Sequence, residues 1–154
     1  MKQEYFNAFV NPAKLVWEKE LGMALEFLDA EPVTDNDPVD DITAVIGVSG
    51  SLRGNVLYGF GTGSALAIAE KMMGEPVDEV DDLCLSILGE LANMITGNAA
   101  TELAVEGFVC NLAPPVVIEP SGSNLKTPGH TPVLVRFNSD AGELKIRIGL
   151  TEAS

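Results

Sequence analysis

Positive charge is what this sequence has least of. The 9 Lys and Arg stand against 23 Asp and Glu, giving a formal net charge of −14 over 154 residues. Binding along a phosphate backbone draws its affinity from Lys and Arg, so the balance argues against nucleic acid, and equally against an anionic membrane surface. His130 is the only histidine. A Ser-His-Asp triad or a histidine-rich metal site therefore has little to be built from. Two cysteines, Cys84 and Cys110, are too few for a disulfide framework and read as reduced thiols of a cytoplasmic protein. No apolar run approaches the roughly 18 residues of a membrane span. Charges recur through "MKQEYFNAFVNPAKLVWEKELG", so this stretch does not read as a signal peptide.

What is present is the material of a globular core. Hydrophobic residues make up 46% and charged residues 21%, enough for one compact domain over 1–154. Residues 3–21 read as an amphipathic helix, with Phe6, Phe9, Val10, Ala13, Val16, Trp17 and Leu21 at three and four spacing and Gly22 as its stop. A strand over 23–33 is ended by Pro32, and 34–41 is an acidic loop. Residues 42–50 and 52–60 form a hairpin. A helix over 62–74 has Thr62 or Ser64 as N-cap and Gly74 just past its end. After a linker over 75–82, a long helix runs from about Asp82 to Val105. A strand starts at Val116 within 116–125, and 131–150 forms a second hairpin turning at 140–142. The second half (82–150) repeats the element order of the first (3–74) without its last helix, which suggests a duplicated unit with pseudo-twofold symmetry. Strands joined by hairpins are antiparallel, so the expected class is α+β and not a doubly wound α/β fold.

Most of the suggestive clusters are weak. "YGFGTGSAL" (58–66) follows a strand and opens a helix, but Gly59, Gly61 and Gly63 miss the dinucleotide fingerprint spacing, and no βαβ unit closes around them. Asp35, Asp37, Asp40 and Asp41 fail as a calcium loop, because the sixth and twelfth positions from Asp35 hold Asp40 and Ile46 instead of Gly and Glu. Cys84 falls on the apolar face of the long helix and reads as core.

The long helix is different. At 100° per residue, Ser86, Asn93, Gly97, Leu83, Ile87, Met94 and Thr101 lie within about 60° of the direction of Glu90. Cys84, Leu85, Leu88, Leu91, Ala92, Ile95 and Ala99 point the other way. One face is core; the other is polar at its centre with an apolar rim. Glu90 and Asn93 are i, i+3 neighbours and reach one target together. A mid-helix glycine costs roughly 1 kcal/mol against alanine, so Gly89 and Gly97 need a reason.

Ser86, Glu90, Asn93 and Pro115 follow the pattern Asp or Ser, three residues, Glu, two residues, Asn, twenty-one residues, Pro. With "ELANMITGNAAT" around it and the element order along nearly the whole chain, the sequence resembles the CheC/CheX/FliY family of response-regulator phosphatases, and within it the CheX type. The resemblance implies a CheC-like fold and a substrate that is the phospho-aspartate of a CheY-like receiver domain. It implies that Asn93 enters the receiver site and orients the attacking water, as a Gln does in small GTPases, and that Glu90 pairs with the receiver's active-site Lys. Ser86 then supports at the surface, Leu83, Ile87, Met94 and Gly97 belong to the docking face, and Pro115 shapes the chain beside the helix. No cofactor or metal of the chain's own is implied; magnesium is expected on the receiver. Glu4 and Asn7 show the Glu-Asn spacing again, without the rest of the pattern, and read as a degenerate echo of the duplication. One intact motif per chain is similar to the CheX type and implies a homodimer joined through sheet edges. The alternative is a noncatalytic adaptor that docks phosphorylated receivers.

Overall fold

The computed structural model describes residues 2–33, 40–119 and 132–153. Asp35, Asp37, His130 and residues 120–125 of the stretch expected to start as a strand at Val116 lie outside the described residues. The elements run α1 (Gln3–Leu21), β1 (Glu26–Pro32), β2 (Ile42–Gly50), β3 (Leu52–Phe60), α2 (Thr62–Met73), α3 (Asp82–Val105), β4 (Cys110–Leu112), β5 (Val116–Ile118), β6 (Val133–Ser139) and β7 (Gly142–Glu152). The strands form one seven-stranded sheet in the order β1-β6-β7-β3-β2-β4, with β5 also on β2. Every pairing is antiparallel, so the α+β class holds.

The order is symmetric about the β7–β3 seam. Each hairpin lies on one side of it, and the outer strand of each hairpin is met by strands from the other half of the chain: β1 pairs with β6, while β4 and β5 pair with β2. Side chains alternate across the pleat. One face of the sheet buries Ile42, Ala44, Ile46, Val56, Tyr58, Phe60, Leu144, Ile146 and Ile148. The helices close over it with Phe9, Ala13, Trp17, Leu88, Leu91, Ala92 and Ile95. Trp17 Nε1 donates to Ser139 Oγ at 3.2 Å and ties α1 to the second hairpin. Arg136 grips Asp29 with two hydrogen bonds of 3.0 and 2.7 Å across the β1–β6 pair.

Gly22 and Gly74 end α1 and α2 in the left-handed conformation, at φ 65° and 72°, where a Cβ would be strained. The cap at the start of α2 is not the expected Thr62 or Ser64. Gly61 is the capping residue and brings no side chain. Asp41 Oδ2 accepts from the Thr62 backbone N–H at 2.9 Å and from Thr62 Oγ1 at 3.2 Å. The reason is the sheet: Ile42 is the register partner of Phe60, so Asp41 arrives beside the residue that opens the helix. Asp40 is also spoken for. Its carboxylate pairs with Arg147 and Lys145, and it lies so close to Gly59 that a Cβ there would sit 1.9 Å from its Oδ2. The glycine at position 59 thus admits a buried carboxylate.

Candidate functional site on helix α3

Helix α3 starts where Asp81 Oδ1 accepts the backbone N–H of Cys84 at 2.9 Å, an N-cap bond that satisfies one of the helix's unpaired donors. It runs without interruption to Val105. Its buried side is the one the periodicity predicts: Cys84, Leu88, Leu91, Ala92, Ile95 and Ala99 are buried, and Leu85 is half-buried. Burial pushes the Cys84 thiol above its ordinary pKa, which fits a core residue and not a nucleophile.

The opposite side carries the motif. Ser86 and Glu90 are exposed, and Asn93, Gly97, Ile87 and Met94 are partly exposed. Leu83 is 52% exposed, a large apolar side chain left in water at the first turn. Among the described residues, nothing hydrogen-bonds or ion-pairs with the side chains of Ser86, Glu90 or Asn93. An unclaimed carboxylate and an unclaimed amide therefore stand one turn apart in the middle of a rigid helix, where side-chain direction is fixed by the backbone. No group of three or more His, Cys, Asp or Glu that could hold a metal occurs among the described residues.

The two glycines of α3 differ. Gly89 is buried, and a Cβ there would lie 3.1 Å from Val117 Cγ2 and 3.7 Å from the Pro115 ring. Pro115 ends the chain that crosses from β4 to β5 and Val117 lies in β5, so the twenty-one residues between Asn93 and Pro115 bring that proline back against the turn holding Glu90. Gly97 has no atom within 4 Å of its ideal Cβ and leaves open space one turn beyond Asn93.

Glu4 and Asn7 are both exposed, but they lie on the first two turns of α1, not in mid-helix as Glu90 and Asn93 do. The periodicity reading missed two features of α3. Gly89 is core-facing, and Thr96 is buried at 1% exposure, hydrogen-bonded to Tyr58 at 2.7 Å. A hydroxyl on an otherwise apolar stripe is the signal that marks the second.

Residues 42–138 match the family profile of the chemotaxis phosphatase CheX. The CheY-P phosphatase CheX of Thermotoga maritima is 37% identical over 86 residues, which cover 55% of this chain and 54% of that protein; the chain thus spans about half the length of that relative. A chemotaxis protein CheX from Vibrio vulnificus superposes with a TM-score of 0.88 at 27% identity, covering 96% of this chain and 99% of the other. The same fold recurs in the CheX-CheY-BeF3-Mg complex from Borrelia burgdorferi, with a TM-score of 0.82 at 24% identity, over 96% of this chain and 98% of that one. With the profile matched across β2 to β6 and the Ser86-Glu90-Asn93 helix inside it, the chain belongs to the CheX family.

Proposed function

We propose that this protein is a phosphatase that hydrolyses the phospho-aspartate of a CheY-like response regulator in chemotaxis. One observation carries the reading: in a CheX-family chain, Glu90 and Asn93 stand one turn apart on the exposed side of α3 with no partner among the described residues. The named activity of the Thermotoga maritima relative supports it. The receiver supplies the acyl phosphate, its magnesium and a lysine. Asn93 supplies an amide whose oxygen accepts a hydrogen bond from water and holds it in line with phosphorus. Glu90 pairs with the receiver lysine and fixes the docked pose, with Leu83, Ile87 and Met94 as apolar rim. The protein acts in the cytoplasm as a homodimer.

The test uses catalytic amounts of the protein against phosphorylated receivers of the same genome. Phosphate release with many turnovers per chain is expected. Asn93→Ala should cost on the order of 10²-fold in rate, the usual loss for one transition-state contact, while binding of a beryllofluoride-loaded receiver survives. Glu90→Lys should weaken that binding by like-charge repulsion. Binding without turnover in the parent would make the protein a noncatalytic adaptor instead.

A further inference from the structure

Among the described residues, helix α3 is tied to the sheet beneath it by a buried pair of side-chain hydroxyls, three residues past Asn93. Tyr58 is fully buried on β3, and Thr96 is buried on α3. Their hydroxyl oxygens lie 2.7 Å apart. Thr96 Oγ1 also lies 2.8 Å from the Ala92 carbonyl, to which it donates. A threonine hydroxyl has a single proton. Since that proton goes to Ala92, the Tyr58 hydroxyl must be the donor to Thr96. The chain of bonds therefore has one direction, from Tyr58 to Thr96 to the backbone of Ala92. Burial holds the Tyr58 phenol above its ordinary pKa, so the donor proton stays in place at all physiological pH.

The bonded segment, Ala92 to Thr96, is the turn of helix that contains Asn93. A buried hydroxyl pair adds little net stability compared with an apolar pair of the same shape, but it specifies geometry. Aliphatic contacts allow a helix to roll or slide by fractions of an ångström; a buried hydrogen bond with one permitted partner does not. Threonine bonding back to the i−4 carbonyl also sets the local bend of a helix. One constraint acts on Thr96, three residues past Asn93, and the other ties it to Ala92, the residue just before Asn93.

We propose that the Tyr58–Thr96 pair is a positioning device: it fixes the roll and bend of the α3 turn that aims the Asn93 amide. The proposal rests on the phosphatase reading for its consequence in rate, and on geometry alone for its consequence in structure. A misplacement of about 1 Å at a reacting group costs up to on the order of 10²-fold, so loss of the link should lower turnover without loosening the docked complex.

The experiment compares Tyr58→Phe, Thr96→Val, Thr96→Ser and the double variant Tyr58→Phe/Thr96→Val. Three quantities are read: thermal stability, binding and turnover of the receiver, and the NMR signals of the Asn93 side-chain amide in the free protein. Thr96→Val alone leaves the Tyr58 hydroxyl buried without a partner and should lose stability, while the double variant recovers it. In Tyr58→Phe and in the double variant, the Asn93 amide signals should shift, and turnover should fall about tenfold or more with binding within about twofold. Thr96→Ser keeps both bonds and should retain turnover. A double variant that is stable, with unmoved Asn93 amide signals and parental turnover, would overturn the proposal. A parent that binds but does not turn over would sink the phosphatase reading by itself, and the Asn93 signals would still decide whether the pair positions the amide.

Discussion

A methyl group added at Gly97 would enter empty space, whereas the same group at Gly89 would press on Val117. Helix propensity alone favours alanine over glycine at both by roughly 1 kcal/mol. At Gly97 no described residue opposes that gain, and we propose that the glycine leaves room for the docking receiver. Gly97→Ala should raise stability by about 0.5–1 kcal/mol, seen as a higher melting temperature, and should weaken receiver docking or turnover. An alanine variant that is more stable and fully active would remove Gly97 from the docking face. The sequence exposes this much because helical geometry is local: Ser86, Glu90, Asn93 and Gly97 share a side at 100° per residue whatever else the chain does. It also sets Thr96 apart as a hydroxyl on the core side, about 120° from Glu90 at that same spacing, but it does not name the partner. Only the tertiary position of Tyr58, on a strand thirty-eight residues earlier, shows what its hydroxyl is for.

Helices and hairpins are legible where their signals are short-range. Both ends of α3 are, because Asp81 caps the start and Gly107 follows the end with φ 96°. Strand β4 is not, because Cys110–Leu112 has three residues, too few for an alternation to show, and its pairing partner is β2 from the other half. The cap on α2 escapes for the same reason, since Asp41 reaches Thr62 across twenty-one residues of chain through the β2–β3 register. The β4–β5 crossing is what presses Pro115 and Val117 onto α3, and it sets the second prediction. Gly89→Ala should be near neutral, because the propensity gain is offset by a contact of 3.1 Å to a side-chain methyl. Gly89→Val should overfill the same gap and destabilise by about 1–3 kcal/mol, measured by denaturant midpoint. If valine is accepted there without loss, the crossing does not pack on the helix as described.

At the scale of the whole molecule, the sheet ends in strands that no described strand pairs on their outer side. At one end β1 has a register shift between Phe27 and Asp29 and runs to Pro32; at the other, β4 and β5 are short and separated by Ala113, Pro114 and Pro115. Edges of this kind, without a partner strand among the described residues, accept another strand, and Leu28 at one end and Val109 and Val116 at the other are exposed apolar side chains. We propose a dimer joined at such an edge, and light scattering should return twice the 16.3 kDa of one chain at micromolar concentration; the mass of one chain would rule it out. Within the chain, the same sheet bears on the proposal that the halves descend from one unit. The halves exchange their outer strands: β1 has backbone partners from Glu26↔Asn138 to Pro32↔Val133, all on β6, and the outer edge of β2 is covered by β4 and β5. The seam between the halves is the longest continuous pairing, from Leu52↔Glu152 to Phe60↔Leu144. A first half alone would hold one hairpin, an orphan β1 and two helices with no sheet wide enough to bury them, and an isolated hairpin is marginal at best. Residues 1–78 by themselves should therefore give a coil-like circular dichroism spectrum, while the intact chain unfolds in a single cooperative transition. Mixing that fragment with residues 79–154 should restore helical signal, because each supplies the strand the other lacks. A first half that folds alone and melts cooperatively would show that the exchanged strands are dispensable, and the molecule would then be two units and not one.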